Sequence, residues 1–181
     1  MGASLLYELP FGKGKQFGSG MGAVPNAVVG GWQLSSIISF QSGRATNVTG
    51  GRNSVAYQDG QRPSANGQPI ALSSDTRSLD RWFNLDAVVQ PAAGVMGNIG
   101  RNAVIGPPQQ SWDFAAHKAF RILENHSLTF RFEAFNFLNH PVFGRPNTGT
   151  GSNAAISSTF GQIRSTDASM RQIQLGLKYV F

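Results

Sequence analysis

The sequence predicts an all-β fold: about five antiparallel strands of a transmembrane β-barrel, belonging to a larger barrel and joined by long extracellular loops. Polar and apolar residues alternate over four clear segments. Charged residues make up only 13% of the chain, about half the usual share, beside 22 Gly and 13 Phe. The connections between the segments also alternate between short and long, which is typical of barrels that cross an outer membrane.

The strands follow from period-2 alternation, taken in chain order. A weak first strand places Leu5, Tyr7 and Leu9 on one face. Clear alternation then covers residues 32–41, 111–120, 127–134 and 172–181. These four segments are close to the roughly 9–11 residues that a tilted strand needs to cross a bilayer, and longer than most soluble strands.

One side of each strand is apolar and the other polar, which predicts contact with lipid on one face and with a water-filled lumen on the other. The side chains predicted to face lipid are Leu34, Ile38, Phe114, Leu128, Phe130, Phe132, Ile173, Leu175 and Leu177. The polar side chains predicted to face the lumen are Asp113, His117, Arg131, Glu133, Gln172, Gln174 and Lys178.

The lengths of the connections predict the orientation, because such barrels have short periplasmic turns and long extracellular loops. With the C-terminus in the periplasm, the long segments 42–110 and 139–170 fall outside the cell and the short turn 121–126 falls inside. Residues 10–31 then also lie on the periplasmic side, although they are long for such a turn. A short helix is expected at residues 26–29.

The last eight residues resemble the C-terminal β-signal that outer-membrane proteins present to the barrel-assembly machinery. A polar Gln174 is followed by Gly176, by the aromatic Tyr179 and by a terminal Phe181. An unpaired edge strand of this kind offers its backbone groups for pairing with an assembly partner. We therefore predict that these four residues form an assembly signal.

Several stretches together resemble the C-terminal barrel region of TonB-dependent receptors of the Oar-like type, which carry a carboxypeptidase-regulatory-like domain. The stretches, in chain order, are YELPFGKGK (7–15), GGWQL (30–34), QSG (41–43), RWFN (81–84), GNIGRN (97–102), FRFEAFNFLNHP (130–141) and RQIQLGLK (171–178). The resemblance implies a transporter or receptor in the bacterial cell outer membrane, in contact with outer-membrane lipid and lipopolysaccharide.

Residues 1–181 are accordingly expected to be the C-terminal part of one outer-membrane β-barrel domain. A plugged transporter barrel has about 22 strands, so the plug and the N-terminal strands are expected to be missing from this chain. TonB would act only through the missing plug region.

The chain is not expected to be an enzyme, and no catalytic, cofactor or metal residue is predicted. The segment from Gly12 to Lys15 lacks the spacing of a phosphate-binding loop. His117, His126 and His140 have no metal-ligand spacing. No cysteine is available as a nucleophile or thiolate ligand.

Two groups of residues leave alternatives open. The charged residues on the lumen face could contact a plug or a substrate, but a charge ladder in a wet lumen is favoured. Trp82, Phe83 and Leu85 in the first long loop are expected to fold that loop onto itself or over the barrel mouth; a ligand site is the alternative.

A different class of protein also fits part of the pattern. A secreted soluble β-sandwich that binds a carbohydrate or a protein would show the same alternation on its inward faces. The net charge of +6 is compatible with nucleic acid as well as with an anionic membrane surface. No nucleic-acid-binding signature appears, so nucleic acid is not expected as a partner.

Overall fold

The computed structural model describes residues 1–50, 62–92, 94–151 and 156–181. These residues form two compact units, which we call the sheet unit and the loop unit. The sheet unit comprises Met1–Gln41, Gln110–Val142 and Ala168–Phe181, and the loop unit comprises Ser42–Gln109 and Phe143–Asp167.

The secondary structure is mainly β. The strands are β1 (Gly2–Glu8), β2 (Trp32–Gln41), β3 (Ala45–Thr46), β4 (Ser64–Ala65), β5 (Val88–Val89), β6 (Val104–Ile105), β7 (Gln109–Leu123), β8 (His126–Phe135) and β9 (Gln172–Val180). The helical elements are α1 (Ala23–Val29) and a single 3-10 turn (Leu85–Ala87).

The sheet unit is an antiparallel sheet in the order β1-β2-β7-β8-β9. Its strands are the five that the alternation predicts, so the all-β prediction is confirmed. The sheet is open, with β1 and β9 at its two edges. Strand order therefore follows chain order, as in an up-and-down barrel wall.

Strand β7 is longer than the predicted segment 111–120. It continues to Leu123, with an irregularity in register between Arg121 and Leu123, before a turn leads into β8 at His126. The alternation is weaker at the C-terminal end of β7, where Arg121 and Ile122 follow Phe120. The sequence pattern therefore ends before the backbone pairing with β8 does. The short turn predicted at residues 121–126 is confirmed and is tighter than expected.

The connection between β1 and β2 contains the predicted short helix. Helix α1 begins at Ala23, earlier than predicted, because Pro25 falls in its first turn, where proline is tolerated. The helix ends where the Gly30 N–H donates to Asn26 O at 2.9 Å. Gly31 then leaves the helix with a φ of 73°, a conformation that favours glycine. Within the described ranges, no helix is both long and apolar enough to cross a bilayer.

The loop unit has its own hydrophobic core, built from both long connections. The core residues come from distant positions in the chain and are Val48, Phe83, Val88, Ile99, Val104 and Phe160. Trp82 and Leu85 pack against this core. Phe83, only 2% exposed, meets Phe160 edge to face at 5.1 Å between ring centroids. The prediction that the first long loop folds onto itself is confirmed, and the second long loop shares the same core.

Candidate functional site

The apolar face of the sheet unit extends over all five strands. Residues that pair directly across antiparallel strands share a face. Phe132 pairs with Leu175, and Phe130 pairs with Leu177, so these four residues lie on one face of β8 and β9. The Trp112 indole N–H donates to Ser36 Oγ at 2.6 Å, which joins β7 to β2 on this same face. Register and alternation place all the residues predicted to face lipid on it: Leu34, Ile38, Phe114, Leu128, Phe130, Phe132, Ile173, Leu175 and Leu177.

This face is most exposed on the edge strand β9, while Leu128, Phe130 and Phe132 on β8 are half-buried. Leu175 and Leu177 are each 71% exposed. Aromatic pairs cover part of the neighbouring strands, with Trp32 edge to face on Phe130 at 6.1 Å between centroids. A face of this composition needs an apolar medium or a covering partner.

Lys118 interrupts the apolar face, and its charge is compensated locally. The Lys118 ammonium donates to Val28 O at 2.9 Å and also to Gly30 O. It lies 5.3 Å from the ring centroid of Trp32 and 5.0 Å from that of Phe120, as in cation–π contacts. The side chain is therefore held by carbonyl oxygens and ring faces, and the residue is 3% exposed.

The polar face carries a shallow groove of about 290 Å³ that brings four predicted lumen residues together. These are Asp113, His117, Arg131 and Glu133. His117 pairs directly with Arg131 across β7 and β8. The Arg131 guanidinium lies 3.5 Å from Glu133 Oε1, in a partly exposed ion pair of the kind that contributes little stability.

The remaining predicted lumen residues, Gln172, Gln174 and Lys178, lie along β9 on the same face. Gln174 pairs with Glu133, and Lys178 pairs with Thr129. Asp113 has a structural partner, since its Oδ1 accepts the Asn136 N–H at 2.9 Å. This arrangement resembles the charge ladder favoured from the sequence more than a built ligand site.

Two features of this groove concern chemistry. Within the described ranges, His117 Nε2 is buried and has no hydrogen-bond partner. In the same part of the chain, no group of three or more His, Asp or Glu side chains is placed to hold a metal ion.

The residues of the predicted assembly signal lie at the end of β9. Tyr179 Oη and His126 Nδ1 share a hydrogen bond of 2.6 Å, and Tyr179 stacks on Phe181 at 6.0 Å between centroids. Gly176 lies opposite Arg131, and Gln174 lies two residues earlier on the same polar face. The aromatic positions therefore belong to the apolar face, and the Gln and Gly positions to the polar face.

Residues 1–174 match the family described as "Outer membrane beta barrel domain". The chain belongs to this family. Outer membrane beta barrel domains are located in the bacterial outer membrane, so the predicted location is confirmed. No curated protein matches the chain. No solved structure matches it either.

In this outer membrane beta barrel domain, the turn after β8 is held by a residue that the sequence analysis did not single out. Asn136 has a positive φ of 50°, and its side chain brackets His140 by accepting the His140 N–H and donating to His140 O, each at 2.9 Å. The following Phe137 packs on Trp112 and Phe114. The sequence contains one signal for this turn, which is the asparagine within the stretch 130–141. Asparagine tolerates a positive φ better than most residues.

In the stretch 97–102, the backbone passes close to another backbone segment of the loop unit. A Cβ on Gly97 would lie 1.9 Å from Arg62 O, so only glycine fits there. Asn98 Oδ1 accepts the Ala65 N–H at 2.8 Å, and Ile99 is fully buried in the core. These residues position the loop rather than forming a site.

The stretch 81–84 has a similar structural role. Arg81 forms an ion pair with Asp86 at 2.7 Å, and Asn84 Oδ1 accepts the Asp86 N–H at the start of the 3-10 turn. The Trp82 indole N–H donates to Ile105 O at 2.8 Å. Aromatic residues that could have lined a ligand site are used to close the core of the loop unit.

Proposed function

We propose that this chain forms part of the barrel wall of a TonB-dependent outer-membrane transporter or receptor, lining its lumen and presenting extracellular loops. Its contribution is structural, and it performs no enzymatic reaction. The observation that carries the proposal is the division of one five-stranded sheet into a continuous apolar face and a polar, charged face. The apolar face meets hydrocarbon, and the polar face meets water in the lumen.

The exposure of the apolar face favours lipid over the sandwich alternative. In a soluble β-sandwich, the inward face is covered by a second sheet about 10 Å away. Here Leu175 and Leu177 on β9, together with Leu5 and Tyr7 on β1, are exposed. The strand lengths point the same way, since β2 and β8 have 10 residues each and β9 has 9, close to one bilayer crossing.

The TonB-dependent class is supported by the sequence stretches that resemble Oar-like receptors. In such an assembly, the lumen-facing charges on β7 and β8 would contact the plug or bind water in the passage beside it. The partners of the chain would be outer-membrane lipid, lipopolysaccharide and the barrel-assembly machinery. TonB would act through a plug region that these residues do not contain.

The proposal is tested in the native bacterium with the chromosomal gene that encodes this chain. Deletion of the gene should remove uptake of at least one nutrient in a transport screen, and deletion of the TonB gene should remove the same uptake. Uptake that requires the first gene but persists without TonB would refute the TonB-dependent class. Recovery of the protein in the soluble fraction after cell fractionation would refute the whole proposal.

A further inference from the structure

The connection between β1 and β2, residues 9–31, is folded against the wall rather than extended into solvent. The Leu9 N–H donates to Trp32 O at 2.9 Å, so the connection starts beside the beginning of β2. A tight loop follows, in which Phe11 and Phe17 rings lie 5.5 Å apart between centroids. The Lys13 N–H donates to Asn26 Oδ1 at 2.6 Å, which ties this loop to α1.

Lys118 fixes α1 to the apolar side of the wall. Its ammonium binds carbonyl oxygens at the end of α1, where Val28 O also accepts the Trp32 indole N–H at 3.0 Å. The last carbonyl groups of a helix lack intrahelical partners and attract cations. An uncompensated ammonium on a lipid-facing surface would be costly. The helix therefore shields the charge that interrupts the apolar face.

The surface that α1 turns outward is apolar. Val24 is 77% exposed and Val28 is 66% exposed, and no residue of the helix is buried. Val29 in the same helix and Phe17 in the preceding loop are exposed as well. A soluble loop would not be expected to concentrate its apolar residues on its outer surface, since such patches mark membrane or protein contacts.

Cations lie on the side of the connection that faces β7. A depression of about 830 Å³ lies between the connection and the end of β7, and Lys13, Lys15 and Arg121 line it together with Lys118. Lys15 is also paired with Glu8 at 2.8 Å. Segments that lie in the interface of a membrane combine exposed apolar side chains with Lys and Arg, and these cations bind anionic headgroups.

We propose that the β1–β2 connection is an interfacial membrane anchor. It lies on the outer wall at the periplasmic end of the strands, with Val24 and Val28 in the boundary between headgroups and acyl chains. Lys13 binds the phosphates of anionic phospholipid headgroups. This inference rests on the proposed contact of the apolar face with lipid. It explains why this connection is longer than a periplasmic turn needs to be.

Because the chain contains no cysteine, a single introduced cysteine gives a unique labelling site. The variants Val24→Cys, Leu177→Cys and Glu124→Cys are each labelled with an environment-sensitive fluorophore and reconstituted into phosphatidylcholine–phosphatidylglycerol vesicles. Quenching by a nitroxide on the lipid headgroup or acyl chain is compared with quenching by aqueous iodide. Glu124, in the short turn at the same end of the sheet, is the matched aqueous control.

We expect lipid nitroxides to quench the labels at positions 24 and 177, and iodide to quench the label at position 124. If position 177 is quenched by lipid but position 24 only by iodide, the anchor is refuted and the proposed orientation of the wall stands. If position 177 itself is quenched only by iodide, the lipid-facing assignment fails and the anchor fails with it.

The role of the headgroup phosphate is tested by removing one cation from the anchor. In the Val24→Cys background, Lys13→Gln should shift the ratio of lipid to iodide quenching by up to about fivefold in vesicles that contain phosphatidylglycerol. It should have little effect in pure phosphatidylcholine. Lys178→Gln, on the polar face, is the control and should change neither. Equal shifts in the two vesicle types would refute recognition of the anionic headgroup.

Discussion

His126 at the start of β8 and Tyr179 near the end of β9 are joined by a hydrogen bond of 2.6 Å between Nδ1 and Oη, with their rings stacked 5.8 Å apart. The two residues are 53 positions apart in the chain. Because Tyr179 also stacks on Phe181, the aromatic positions of the predicted assembly signal form one group with the preceding strand. The signal is thus held in a defined geometry at the open edge of the sheet.

Deletion of Phe181 is expected to lower assembly into the outer membrane, because the terminal ring and its stacking on Tyr179 are lost. The measurement is the amount of folded protein in outer-membrane fractions relative to the total expressed protein. Tyr179→Phe keeps the ring and removes only the hydrogen bond to His126, which should cost about 1 kcal/mol of stability. Assembly of this variant should therefore stay close to that of the wild type.

Val180→Ala is the control for this prediction, because Val180 pairs with Ser127 on the opposite face. Unchanged assembly after deletion of Phe181 would remove the claim that these residues are a signal. A loss of assembly in Val180→Ala as large as in the deletion would show that the effect is not specific to the aromatic positions of the signal.

A charge placed on the apolar face should be costly, while one placed on the polar face should be mild. Leu175→Arg is expected to lower the free energy of unfolding in lipid vesicles by about 2–4 kcal/mol, since an arginine near the middle of the bilayer loses its hydration. Gln174→Arg, at the adjacent position, should change it by less than about 1 kcal/mol. Denaturant unfolding in vesicles measures both. Equal costs at the two positions would contradict the division of the sheet into an apolar face in lipid and a polar face in water.

Asn136 should be replaceable by glycine at a lower cost than by alanine. Both substitutions remove the side-chain bracket on His140, but alanine must also hold a positive φ, which adds about 1–2 kcal/mol. The difference in unfolding free energy between Asn136→Gly and Asn136→Ala measures this backbone contribution. A glycine variant that is less stable than the alanine variant would show that the positive φ is not the constraint.

Phe83→Ala should destabilise the loop unit by about 3–5 kcal/mol, because it leaves a cavity beside Phe160. Phe160→Ala should have a similar effect, and the double variant should cost less than the sum because the pair shares one contact. Proteolysis of residues 62–92 reports on the loop unit, and circular dichroism reports on the sheet. Met96→Ala, at an exposed position of the same unit, is the control. Additive costs would show that the two rings are energetically independent.

The strands and their faces could be predicted from the sequence. The alternation around Leu128, Phe130 and Leu177 is a local property with a period of two residues, and it fixes both the strand and the side on which each residue lies. The polar residues predicted to face the lumen on β7 and β8 lie together in one groove for the same reason, since adjacent antiparallel strands place equivalent faces side by side. They are Asp113, His117, Arg131 and Glu133.

Tertiary structure alone decided how the long connections fold and how the lysine on the apolar face is accommodated. Phe83 and Phe160 meet across 77 residues (160 − 83), and no local pattern indicates that two loops share one core. Alternation along β7 places Lys118 on the apolar face, but its partners are carbonyl oxygens about 90 residues earlier in the chain. Local periodicity follows from backbone geometry, whereas these contacts depend on which distant segments the chain brings together.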